Sequence, residues 1–168
     1  PYAMEPAEGE EWVESPAHIM LLVPGGFDPA EFSTDPDSGG PYIMWEGTPY
    51  EHLMIPVVPA VEARGAVMME DSLEDKLYNV MSAIPATIGE NATVIDWPSE
   101  PGGDLPVLRD GSNYWVCMYD NADTAGYDPM CVDPVWMAWM EAFMAGAEPE
   151  NSAPGISYML AGGSDASN

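Results

Sequence analysis

Short blocks of apolar residues, cut by Pro and Gly, recur along this chain, and more of them read as strands than as helices. Residues 17–23 (Ala-His-Ile-Met-Leu-Leu-Val) predict a buried strand ended by Pro24-Gly25-Gly26. Residues 28–32 predict one helical turn, and 42–45 with 52–58 predict a hairpin turned at Gly47. Ser72, with Asp75 three positions on, predicts a helix N-terminus. Its apolar stripe is Leu73, Leu77, Val80, Met81 and Ile84, and Pro85 ends it. Residues 93–97 predict a strand, and 107–109 with 114–118 predict a second hairpin around Asp110-Gly111. Asp133 caps and Pro134 opens a second helix over 135–145, stopped by Gly146. Trp136, Trp139, Met140, Phe143 and Met144 make that helix apolar over most of its circumference. A last strand is expected over 156–160. The sum is an α+β fold: a mostly antiparallel sheet of about six strands, two main helices and one disulfide-stapled loop. Residues 1–16, acidic and punctuated by Pro1, Pro6 and Pro16, read as an extended arm with Trp12 as an anchor. Residues 17–168 read as one domain, with 59–69 a patternless connector.

Charge changes the picture most. The 168 residues carry 29 acidic and three basic side chains (Arg64, Lys76, Arg109), a formal charge of −26. With 46% hydrophobic residues the chain has a core to bury, so it is not a disordered acidic tail. Self-repulsion strains so charged a compact body. Salt relieves that strain, because the Debye length falls from about 10 Å at 0.1 M to about 3 Å at 1 M. The composition therefore predicts a halophilic, salt-adapted protein. It disfavours nucleic acid and anionic membrane as partners, since both need Lys and Arg. No apolar run approaches membrane-spanning length. The start at Pro1 leads us to expect a processed or trimmed chain.

Cys117 and Cys131 bracket a polar, turn-rich stretch that has little else to hold it, so a disulfide is expected, and with it an exported, extracellular or periplasmic location. Within that stretch Asp120, Asn121, Asp123 and Asp128 are oxygen ligands of the kind Ca²⁺ takes, although the spacing is not that of an EF-hand. His18 and His52 each sit two residues before a Met, in His18-Ile19-Met20 and His52-Leu53-Met54. Positions i and i+2 share a strand face, so two neighbouring strands would offer imidazoles and thioethers to a soft ion such as Cu(I). The alternative is ordinary packing, for which 13 Met residues are well suited. Asn91-Ala92-Thr93 is a glycosylation sequon. Ser164 after Gly162-Gly163 is a candidate nucleophile, but it lacks the Gly-x-Ser-x-Gly elbow.

The segments Gly39-Gly40-Pro41-Tyr42-Ile43-Met44-Trp45, Gly47-Thr48-Pro49-Tyr50 with His52-Leu53-Met54-Ile55-Pro56-Val57, Asp128-Pro129-Met130-Cys131, and Tyr158-Met159-Leu160 with Gly162-Gly163-Ser164 are distinctive strings that span most of the chain. In these it resembles a family of small exported bacterial proteins without an assigned activity. The resemblance implies a reversed segment order here, with the part like 81–168 coming first in the family. A permuted order would bring Pro1 and Asn168 close in space, within a subunit or between neighbours.

These readings favour an extracellular, acidic, salt-adapted structural or binding domain that self-associates, as a repeat or filament subunit, with itself as its partner. The arm would wrap or pair with a neighbour, or fold back on its own domain. The alternatives are an exported metal-binding protein, using Cu at the His-x-Met pairs or Ca²⁺ at the Cys117–Cys131 loop, and a hydrolase using Ser164 with His18 or His52.

Overall fold

The computed structural model describes residues 12–57, 72–98, 103–121, 124 and 126–166. The connector 59–69 and most of the arm lie outside them. Ten strands and three α-helices form an α+β fold. They are β1 (Trp12–Ser15), β2 (His18–Leu22), β3 (Tyr42–Met44), β4 (His52–Pro56), α1 (Leu73–Val80), α2 (Ala86–Gly89), β5 (Thr93–Ile95), β6 (Val107–Arg109), β7 (Val116–Met118), β8 (Met130–Val132), α3 (Pro134–Ala145), β9 (Gly155–Met159) and β10 (Gly163–Ala166). Eight strands make one sheet in the order β3-β4-β2-β9-β8-β7-β5-β6, rather than about six. All its pairings are antiparallel except β5 with β7. β1 and β10 form a separate antiparallel ribbon.

Successive side chains along the strands go to opposite faces of the sheet, and both faces are packed. Ile95, Met118 and Val132 pack with Met20, Met54, Met159, Trp136 and Trp139 under α3. Their neighbours Val94, Cys117 and Cys131 pack with Val80, Ala83 and Ile84 on the opposite face, against α1 and the turn before α2. Both helix starts behave as expected. Ser72 Oγ accepts from the Asp75 N–H, and Asp133 Oδ1 accepts from the Trp136 N–H at 2.8 Å. Gly146 closes α3 in the left-handed region, with φ 64°.

Three expectations need correction. α1 stops at Val80, not at Pro85, which instead precedes α2. Leu73, assigned to its apolar stripe, is 51% exposed. The expected hairpin around Asp110-Gly111 does not form, because β5 lies between β6 and β7 and pairs with both. Gly111 is there for a different reason. A Cβ on it would stand 2.3 Å from the Thr93 backbone nitrogen, so the chain must be bare where it passes the start of β5.

The described ends of the chain are neighbours, with Trp12 opposite Ala166 and Ser15 opposite Gly163. Pro1 and Asn168 lie outside the described residues. No helix among the described residues is long and apolar enough to cross a membrane.

Candidate functional site

The polar groups that converge most closely lie where the ribbon meets the disulfide loop. Cys117 and Cys131 are directly opposite each other on β7 and β8, both fully buried, and they are bonded. The disulfide thus ties two adjacent strands of the sheet at the base of the loop. Above it, the Asp120 N–H donates to Asn79 Oδ1 of α1 at 2.8 Å, pinning the loop to that helix. The Asp128 N–H donates to Asp120 Oδ1 at 2.8 Å, so the loop closes on itself.

From β10, the Ser164 hydroxyl donates to Asp128 Oδ2 at 3.2 Å and accepts from the Gly126 N–H at 3.2 Å. Ser164 and Asp128 are each 8% exposed. A Cβ on Gly126 would stand 2.9 Å from that of Ser164, so glycine is what lets loop and strand touch.

Burial, above all, pushes the Asp128 carboxyl up to about 7. The hydrogen bond and charge of Asp120 act in the same direction, while Thr124 and the Asn121 N–H oppose them. Two carboxylates are both acceptors, so their side chains can share a hydrogen bond only if one carries a proton. Burial also raises the neighbouring Tyr127 phenol, helped by the charge of Asp120; its hydroxyl lies 3.1 Å from Ser82 Oγ.

Of the residues proposed for Ca²⁺, the structure brings together Asp120, Asn121 and Asp128, the last accepting from the Asn121 N–H at 3.4 Å. Asp123 lies outside the described residues. Among the described residues no three His, Cys, Asp or Glu side chains are grouped to hold a metal ion.

The residues proposed for Cu go to two places. Met20 and Met54 are direct cross-strand partners, but His18 is opposite Pro56, four positions along β4 from His52. That is about 13 Å along the strand, too far for one coordination sphere. His18 is buried on the ribbon side, where its Cε1 is 3.6 Å from the position a Cβ on Gly163 would take. His52 is buried among rings, with centroids 5.2 Å from Trp45, 5.5 Å from Trp136 and 5.6 Å from Trp139.

That ring cluster is a second feature the sequence did not disclose. Trp45, Trp139 and Phe143 lie with planes within 10° of parallel and centroids 5.4–6.2 Å apart. Trp45 is in the left-handed region at φ 56°, the only non-glycine described there. Such backbone is strained for a bulky side chain. The turn after it holds it, with the Thr48 N–H and hydroxyl both donating to the Trp45 carbonyl.

The two described bases are spent on internal ties. Lys76 pairs with Asp96 at 3.2 Å and lies 4.7 Å from the Tyr119 ring centre. Burial alone would raise the Asp96 carboxyl. Hydrogen bonds from Tyr119, Lys76 and the Trp97 N–H, with the charge of Lys76, outweigh that and hold it below the usual range. Arg109 donates to the Gly89 and Ala92 carbonyls at 2.6 and 2.9 Å, tying the edge strand β6 to the end of α2. Arg64 lies outside the described residues. Asn91 of the sequon is exposed, and its side chain accepts from the Ser112 hydroxyl at 3.2 Å.

Comparison with protein-family models, curated proteins and solved structures finds no match for this chain.

Proposed function

We propose that this chain is a non-catalytic extracellular domain, adapted to concentrated salt, that self-associates by exchanging the β1–β10 ribbon between copies. The observation that carries the reading is the ribbon itself. Among the described residues β1 pairs with β10 alone, outside the eight-stranded sheet. A lone two-stranded ribbon is marginal in water, and β10 of another copy offers β1 the same four partners. Exchange therefore keeps every ribbon hydrogen bond and costs little. Pro16 and Ala17 are the only residues between β1 and β2, so the hinge is short.

Other features agree. The disulfide, and the lack of a membrane-spanning helix among the described residues, are compatible with a location outside the cytoplasm. The described bases serve internal contacts, which leaves the acidic surface uncompensated and makes neighbouring copies repel until salt screens them. A hydrolase would need the Ser164 hydroxyl open to a substrate. Instead its hydroxyl is buried between Gly126 and Asp128. Metal binding is left with a split His–Met set and a pair of carboxylates, so it is the weaker reading.

Sedimentation velocity tests the proposal. Oligomers should appear as salt rises from about 0.1 M to about 1 M, where the Debye length shrinks roughly threefold. A monomer at every salt and protein concentration would rule out self-association.

Stability should rise over the same range. In urea melts the midpoint should shift to higher denaturant, by at least about 1–2 kcal/mol of folding free energy. A midpoint indifferent to salt would mean that the charge carries no strain.

A further inference from the structure

Asn91-Ala92-Thr93 is the one Asn-x-Ser/Thr triplet in the chain, and the fold gives it a setting that none of the contacts above absorbs. Asn91 is exposed in the turn between α2 and β5. Its backbone carbonyl accepts from the Ser112 and Asn113 N–H groups at 2.8 and 3.1 Å, so the main chain holds the residue in place. Its side-chain Oδ1 accepts from the Ser112 hydroxyl at 3.2 Å. That contact engages the carbonyl half of the amide only. The donor half, Nδ2, is the atom a sugar joins, and the Ser112 bond leaves it unused.

An exposed ring stands beside this asparagine. Thr93 is opposite Val116 in the parallel pairing of β5 with β7, and the same register brings position 91 level with position 114. Tyr114 is 64% exposed, the highest value among the large hydrophobic side chains described. One side of its ring is backed by the buried Trp115, with centroids 5.7 Å apart and planes 28° apart. The C–H face of a sugar laid on the other side would take apolar surface of both out of water.

We infer that Asn91 carries an N-linked glycan whose first sugar rests on Tyr114. The inference rests on the location outside the cytoplasm, and not on ribbon exchange.

The chemistry is a glycosyl transfer from a lipid-linked sugar phosphate or diphosphate, performed by a host transferase. A bond forms between Asn91 Nδ2 and the anomeric carbon of the sugar. The bond from that carbon to the phosphate oxygen breaks, and the proton that Nδ2 gives up ends on the released phosphate. Thr93 supplies the hydroxyl that such a transferase reads. In the folded chain that hydroxyl accepts from the Gly111 N–H at 3.2 Å, and a Cβ on Gly111 would stand 2.3 Å from the Thr93 nitrogen. Gly111 therefore covers the triplet, and transfer precedes its docking on the start of β5.

Peptide mass spectrometry on the protein from its native source tests the inference. The peptide holding Asn91 should carry the mass of a glycan, and enzymatic release should turn that asparagine into aspartate. Thr93→Ala, made in the same source, should lose the modification. Thr93→Ser keeps the hydroxyl and should retain it. An unmodified peptide in native protein recovered outside the cell would overturn the inference and leave the exported location standing. Unmodified native protein recovered only from the cytoplasm would overturn both. Thr93→Ala that keeps the full modification would also overturn it, because the triplet would not be what is read. The sugar contact has its own readout. Protons of the first sugar should lie upfield, by the ring current of Tyr114, of their positions in Tyr114→Ala. Equal positions in the two chains would overturn that contact.

Discussion

Trp136→Ala should cost about 3–5 kcal/mol of folding stability, the largest loss expected from any single substitution in this chain. Trp136 is 1% exposed and sits where α3 meets the centre of the sheet. Its ring lies against Trp139, with centroids 5.2 Å apart, and edge-on to His52 at 5.5 Å. The truncation would leave a cavity walled by Met, Trp and Val side chains that are themselves held by the sheet, so collapse can fill only part of it. Its indole N–H has no hydrogen-bond partner among the described residues, so truncation removes an unsatisfied buried donor, a small offset. For a domain of this size the loss corresponds to a fall of about 6–20 °C in Tm. Thermal melts in concentrated salt would show it. A drop below about 3 °C would mean that α3 packs loosely and that the core is organised elsewhere.

Cys117→Ala with Cys131→Ala should cost about 3 kcal/mol or somewhat more. The bond closes a loop of 14-residue separation, and freeing that loop adds entropy to the unfolded chain. Both sulfurs are fully buried beside Val80 and Val94, so their loss also thins the core on that face. The loop carries Asp120 and Asp128, so the double variant should weaken the ribbon's attachment as well. Its stability loss and that of Ser164→Ala should then fall short of adding, because each removes part of the same junction. Chemical denaturation of the four combinations would measure this. Full additivity would show that disulfide and ribbon are independent.

Much of the fold could be read from the order of residues, for identifiable reasons. α3 announced itself through Asp133, Pro134 and Gly146, each of which does locally what its chemistry dictates. The β3–β4 hairpin followed from two apolar strings close in sequence. Failures came where a distant segment overrode a local signal. Asp110-Gly111 looks like a hairpin turn, yet β5 takes the place between the two strands. β1 and β10 were not recognised as strands. Trp-Val-Glu-Ser and Gly-Ser-Asp-Ala carry no apolar alternation for a sequence reading to find. β8 was hidden because Met130–Val132 is short and abuts a polar loop.

The site was legible only in pieces. Ser164 stood out as a nucleophile and Asp128 as a cation ligand, and nothing in the sequence said that each is the other's partner. The only written trace is steric: Gly126 and Gly163 are bare where loop, β10 and His18 crowd together. His18 and His52, matched by their His-x-Met settings, were parted by strand register, a property of pairing and not of spacing.

The account stands or falls on whether β1 of one copy pairs with β10 of another. Val13 and Asp165 are opposite each other in the ribbon register, and the two native cysteines are already bonded. A Val13→Cys chain mixed with an Asp165→Cys chain, at about 1 M salt and above neutral pH, can form the 13–165 disulfide only between molecules. Ribbon exchange predicts a covalent heterodimer under mild oxidation. If the two-chain mixture stays unlinked while a single chain carrying both substitutions closes readily on itself, the ribbon belongs to one molecule and the proposal is wrong.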